Sequence, residues 1–332
     1  MPVGPGGERR GARWPLDRGA AAPLSAATGT MGGMETTGGN QLIRDPGTAA
    51  AFARALHETP GDFIGRDPVP VLSFEPGASL RDRREAFGAV YGAIVARTGE
   101  PTLHGGSARG PDIRWRDPRR TVLLSGAGTW ALLSVHDTDL LEAAERRSFD
   151  WGGAWSPAEP HDVGLLPYLW RLDRSGPGEP PADYPTGRPV AGLDHFASAL
   201  ELLLAAWVEQ LPVQVGDDWA AFTLTSSADR GRRFHLSYAR GDGLLVSVDD
   251  RDGGDSPERG DLMRSRGWHS HDRGWWQAEF PDPDRPHTAE AARTVLAELY
   301  ARGTSAPSQL RVRDASCRDR GTLLLPGLGV RT

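Results

Sequence analysis

The sequence predicts an α+β protein built as two similar modules, each an antiparallel sheet packed by flanking helices. Three observations carry this expectation. The apolar period switches from about 3.6 to 2 in the order helix, three strands, helix, and does so twice along the 332 residues. Between the two runs the Gly and Pro density rises sharply, from Arg174 to Pro189. The second run closes on three tryptophans, Trp268, Trp275 and Trp276, around a glycine-bearing turn and ahead of an amphipathic helix. A chain of this length can bury two separate cores. The boundaries that follow are a disordered N-terminal segment, 1–40; an α+β domain, 41–171; a linker, 172–190; a second α+β domain, 191–312; and a tail, 313–332.

Residues 1–40 are rich in Gly, Ala, Pro and Thr with no apolar period, which reads as disorder. Met1, Met31 and Met34 are all candidate starts. Asp45-Pro46 is a helix entry, Asp as N-cap and Pro at the first helical position, with Ala49, Phe52, Ala53 and Leu56 on one face. A short strand is expected at Val69–Phe74. A second helix, Arg81–Arg97, carries Phe87, Val90, Tyr91 and Ile94 as its stripe and stops at Gly99. Strands follow at 111–116, 120–124 and 129–135, turned by Asp117-Pro118 and by Gly126-Ala127-Gly128. Asp139 and Glu142 have capping-box spacing for a short helix to Arg147. Residues 150–171 are aromatic and irregular, with Trp151, Trp155, Tyr168 and Trp170.

In the second half, Asp194–Gln210 is a helix with Phe196, Leu200, Leu203, Leu204, Trp207 and Leu211 on one stripe, ended by Pro212. Strands are expected at 219–224, 233–238 and 243–248, then a loop through Asp252-Gly253-Gly254 and Pro257. A hairpin across His271–Gly274 bears the tryptophans. The last helix takes Thr288 as N-cap, buries Ala292, Val295, Leu296 and Leu299, and stops at Gly303.

Composition narrows the function classes. The formal charge is -6, spread without blocks, which argues against nucleic acid as the main partner. There is no lysine, so all 38 basic residues are arginines. A GC-rich coding bias explains that blandly; selection for bidentate anion recognition is the functional alternative. Cys317 is the single cysteine, expected to be exposed, and it admits no internal disulfide. No apolar run approaches the roughly 20 residues that span a bilayer, and Arg9-Arg10 lacks a following apolar region. A cytoplasmic protein without membrane contact is the expectation.

Catalytic and metal patterns are thin. His269 and His271, with Asp272 and His287 nearby, have the alternation of two ligands on a strand but lack a completing set. His136, Asp137 and Asp139 lie where a strand meets a helix, where Asp and Thr act as caps. The run Asp249-Asp250-Arg251-Asp252 fails the calcium-loop pattern, and Gly105–Gly110 fails the phosphate-loop pattern. Glu142 and Glu145 are expected on a solvated helix face. No cofactor or metal is implied.

The layout around Gly267-Trp268, Trp275-Trp276 with Phe280, the helix 288–302 and Pro307-Ser308-Gln309-Leu310 resembles the actinobacterial branch of the YbjN and type III secretion chaperone-like superfamily, whose domains are called TY-Chap. The resemblance covers roughly residues 190–312, and it implies a non-enzymatic, cofactor-free, chaperone-like or adaptor-like protein that binds a protein or peptide. Trp268, Trp275, Trp276 and Tyr238 are then the candidate groove residues. Trp275 and Trp276 are adjacent, so on a strand one faces the core and the other faces away. An immunity protein against a toxin domain is the alternative, and a hydrolase-type enzyme a further one. The reading leaves room for a homodimer.

Overall fold

In the computed structural model the described residues are 42–331, apart from 76, 152–161, 174–177, 186, 188, 252, 254–255, 282–284 and 318–320. The segment 1–40, read as disordered, lies outside them, as do Trp155 and part of the expected linker.

The fold is α+β, as expected. Its elements in chain order are α1 (Pro46–Glu58), β1 (Val69–Ser73), α2 (Leu80–Thr98), β2 (Leu103–Ser107), β3 (Gly110–Arg116), β4 (Arg120–Gly126), β5 (Trp130–Asp137), α3 (Thr138–Trp151) and β6 (Trp170–Asp173). The second half adds α4 (Leu193–Val215), β7 (Trp219–Ser226), β8 (Asp229–Ala239), β9 (Gly243–Asp249), α5 (Pro257–Ser265), β10 (Ser270–Asp272), β11 (Trp275–Phe280), α6 (Arg285–Ala301), β12 (Leu310–Cys317) and β13 (Gly321–Leu324). All the strands join one 13-stranded sheet, in the order β1-β5-β4-β3-β2-β6-β13-β12-β7-β8-β9-β11-β10. The pairings between these strands are antiparallel.

Local chemistry sets many of these elements where the sequence places them. The Asp45 carboxylate accepts from the Thr48 N–H at 2.7 Å, satisfying one of the orphan donors of α1. Phe87, Val90, Tyr91 and Ile94 are the buried stripe of α2, which ends at Gly99. Arg273 and Gly274, both at positive φ, make the two-residue turn between β10 and β11. That matches the twist of a hairpin.

Other elements differ, each for a physical reason. Residues 103–107 form a strand because Gly105 and Gly106 leave room for close neighbours. A Cβ on Gly106 would lie 1.6 Å from Gln210 Oε1 of α4. Trp170–Asp173, at the mouth of the expected linker, is a strand between β2 and β13, and the expected tail contributes part of β12 and all of β13. Pro257 opens a nine-residue helix capped by Ser256, whose hydroxyl accepts from the Arg259 N–H. Thr288 lies buried inside α6, which begins at Arg285. Asp137, two residues before the expected cap, accepts from the Leu140 N–H at the start of α3. Cys317 is buried, 1% exposed.

Helix α4 runs through Pro212 to Gly216 instead of stopping. Proline removes the donor that the Val208 carbonyl needs and normally breaks a helix. Here the Arg84 guanidinium of α2 replaces that donor, with Nε 3.0 Å from Val208 O and Nη2 also bonded to it. The same Nη2 donates to the Tyr238 hydroxyl at 3.0 Å. Arg84 thus ties α2, α4 and β8 together. By length and composition α4 could cross a membrane, but 61% of its apolar window is buried inside the fold.

On the sheet α4 is held by two amides. Gln214 accepts from Gly105 N–H at 3.1 Å and donates to Gly105 O at 2.8 Å; Gln210 donates to Ser107 O at 3.0 Å. A helix from the second half is therefore hydrogen-bonded to a strand of the first. One apolar core lies between α1, α2 and β1, β3, β4 and β5; the other surrounds α4, α6 and the strands of the second half.

The Val208 carbonyl gives a direct test by urea denaturation. Arg84→Ala should cost about 1–3 kcal/mol, the usual penalty for a buried acceptor left unmade. In a Pro212→Ala background, whose new N–H can reach Val208 O, the cost should shrink. Equal cost in both backgrounds would show that Val208 is not what Arg84 serves.

Candidate functional site

The two faces of the second-half sheet differ. On one face, Phe222, Leu224, Phe234, Leu236, Tyr238, Val246, Val248, Trp276, Ala278 and Phe280 are buried with α4 and α6. The alternate positions point the other way. Cross-strand register aligns Arg313, Thr223, His235, Ser247 and Gln277 in one row. Arg311, Thr225, Arg233, Asp249 and Trp275 form the next. Of these ten, only Ser247 and Asp249 are buried. This bare, mostly polar face is the candidate site.

The sequence-predicted residues divide across it. Trp268, Trp276 and Tyr238 are 0%, 6% and 2% exposed and belong to the core, so they are not available to line a groove. Their burial follows from strand alternation and, for Trp268, from packing in the same core cluster as Met263. Trp275 alone reaches the bare face, half-buried, opposite Asp249. Asp249 is committed to Arg251, which donates to it from Nε at 3.0 Å and from Nη2. That bond, more than any other influence, holds the Asp249 carboxyl below its ordinary range.

The remaining candidates serve packing. His271 stacks on Trp276, ring centroids 4.7 Å apart, and among the described residues no three His, Cys, Asp or Glu side chains group as metal ligands. His136 bonds Ser134 Oγ at 2.8 Å while Asp137 caps α3, so the two do not converge. The cavity of about 540 Å³ between α4 and the turns joining β2 to β3 and β4 to β5 has its Arg83 ion-paired to Glu209 at 2.7 Å.

Glu142 and Glu145 are not on a solvated face. Glu145 is 7% exposed and bonds Arg114 with both carboxylate oxygens, while Glu142 bonds Arg116. Arg114 also grips Asp112 in a fork at 2.9 and 3.1 Å, and Arg171 reaches Asp112 at 3.0 Å. Gly105 lies between the Asp112 and Arg171 backbones, its absent Cβ leaving a path for that contact. The Tyr168 ring covers Arg171 at 3.6 Å. Burial pushes the Tyr168 hydroxyl up to about 12. Burial alone would raise the Asp112 carboxyl, but Arg114 and Arg171 hold it below the usual range. Asp250 anchors a second network. Asp250 is gripped by Arg259 at 2.7 and 2.8 Å and by Arg232 at 3.0 Å, and beside it Glu298 accepts from Arg302 at 2.6 Å.

Only the spacing within each element of the first network is legible in the sequence, and the pairing between them is not. Asp112, Arg114 and Arg116 alternate with Ile113 and Trp115 on one strand, and Glu142 and Glu145 are one helical turn apart. No family model, curated protein or solved structure matches the chain.

Three outcomes follow. Trp276→Ala should cost about 3–5 kcal/mol, as loss of a core aromatic does, whereas Trp275→Ala should cost clearly less; equal losses in urea titrations would contradict the two-faced assignment. Glu145→Ala should cost about 3–5 kcal/mol because it strands a buried guanidinium, and a loss near zero would mean that α3 is not held by this pair. Stability should also fall as pH drops below 6.5. Burial lowers the His57 and His136 pKa values from 6.5, so the unfolded chain takes up protons there before the folded one does. A His57→Gln/His136→Gln variant should flatten that dependence.

Proposed function

We propose that this is a non-catalytic, protein- or peptide-binding protein of the chaperone or adaptor type, which engages its partner on the bare face of the second-half sheet. The observation that carries the reading is the one-sidedness of that sheet. Helices α4 and α6 bury one face, while the opposite face presents Thr223, His235, Leu245, Trp275 and Gln277 half-exposed on rigid strands. Side chains fixed on a sheet lose little freedom when a partner docks, so contact converts efficiently into affinity. Trp275 supplies the large amphipathic surface typical of binding hot spots. The resemblance of residues 190–312 to the YbjN and type III secretion chaperone-like superfamily supports the same class of function. A cytoplasmic setting fits the single, buried, unbridged Cys317.

A peptide library displayed on phage and panned on the intact protein tests this. The expected result is enriched peptides whose affinity drops at least about tenfold, or 1.4 kcal/mol, in Trp275→Ala and in Leu245→Ser, with melting temperatures held near wild type. Failure to enrich any peptide, or binders indifferent to both changes, would overturn the proposal.

A further inference from the structure

Two groups of arginines bear on this face, beside surface pairs such as Arg54–Glu58 and other exposed arginines such as Arg97 and Arg147. One is consumed internally: Arg114, Arg116, Arg171, Arg232, Arg259 and Arg302 all hold carboxylates in partly or fully buried pairs. The other stands at one corner of the bare face. Arg311 and Arg313 of β12 and Arg233 of β8 are exposed, and none forms an ion pair among the described residues. Register puts Thr225 between Arg311 and Arg233 and sets Thr223 opposite Arg313. An isolated bridge from Arg311 to Arg331 places a fourth exposed guanidinium beside them. At about 4.8 Å per strand, the row Arg331, Arg311, Thr225, Arg233 spans roughly 14 Å. Trp275 lies in the same row, two strands and roughly 10 Å beyond Arg233.

We propose that this corner docks an acidic peptide segment, its carboxylates on Arg233, Arg311, Arg313 and Arg331 and an apolar residue beside the acidic run on Trp275. The inference rests on the bare face being the binding surface and names the chemistry of what it binds. Charge complementarity carries it. In a protein of net charge -6, four exposed cations gathered in one patch repel one another, and of the four Arg233 alone has a carboxylate, Asp249, acting on it among the described residues. They form a local positive field that selects and steers an anion. Guanidinium is the fork that fits a carboxylate with two parallel bonds.

A nucleic-acid strand fits less well. Its phosphates need cations along a track, and beyond Arg233 the row turns acidic, with Asp249 and Asp272 on either side of Trp275. A short run of carboxylates that gives way to an apolar side chain matches this sequence of charges.

The test is fluorescence anisotropy with a labelled peptide carrying a run of glutamates followed by a leucine. Comparators are the same peptide with glutamines, the same with lysines, and a single-stranded oligonucleotide. The proteins are wild type, Arg311→Ser/Arg313→Ser and Trp275→Ala, each checked by thermal melting, at low and high salt. The expected result is that the glutamate peptide binds at least about tenfold tighter than the glutamine peptide, and that high salt or the arginine changes abolish the difference. If glutamate and glutamine peptides bind alike and both need Trp275, the acidic-ligand inference fails while the bare-face reading stands. If no peptide binds, both fail. Tighter binding of the oligonucleotide would overturn the choice of partner class.

Discussion

Helix α4 is the element on which the architecture depends, and what it must solve is a geometric problem. Two sets of strands share one sheet, so some helix has to cover the seam and still satisfy the backbone where the ladder is irregular. Gln210 and Gln214, one turn apart, do this by bonding β2 at Ser107 and Gly105. The glycines of β2 allow that approach, because a side chain at Gly106 would occupy the position of the Gln210 amide. Pro212, which would end an isolated helix, is tolerated since Arg84 of α2 bonds the freed carbonyl. Sheet, seam and helix therefore specify one another.

A second constraint comes from composition. With arginine as the only lasting cation, every buried carboxylate that needs a partner takes a guanidinium. The fork geometry permits multi-point networks that an ammonium would not build. Asp112, Arg114, Glu145 and Arg171 hold α3 against the first half, and Asp229, Asp250, Glu298 and Arg302 join β8, β9 and α6 in the second. Removing one member leaves a buried charge, so these networks specify the docked arrangement more than they add net stability. Against this background Arg311, Arg313 and Arg331 stand out on the bare face, since none of them forms an ion pair among the described residues, while Arg233 beside them acts on the Asp249 carboxylate.

The sequence was legible where a rule is local. The stripe of α2, the Asp45 cap, the alternating strands β7, β8 and β9 and the hairpin at Arg273-Gly274 follow from spacing and turn chemistry alone. It misled where a residue is answered from far away in the chain. Pro212 depends on Arg84, Gly105 on Gln214, and Glu145 on Arg114, at separations no local pattern reports. The tryptophans were read as a patch, and alternation did predict that Trp275 and Trp276 would part. What could not be read was that Trp268 and Tyr238 also face inward, because which face a helix covers is decided by tertiary packing. The bare face and its arginines emerge only once β12 is paired to β7.

The α4 seam couples the two halves through the Gln210 and Gln214 bonds to β2, so the two halves should open together. Native-state hydrogen exchange reports this directly. Amides of β3 and β4 and those of β8 and β9 should share one opening free energy equal to that of global unfolding. Arg84→Ala should lower the two sets by the same amount. Exchange of one set through a cheaper, separate opening, with the other unaffected, would contradict the account.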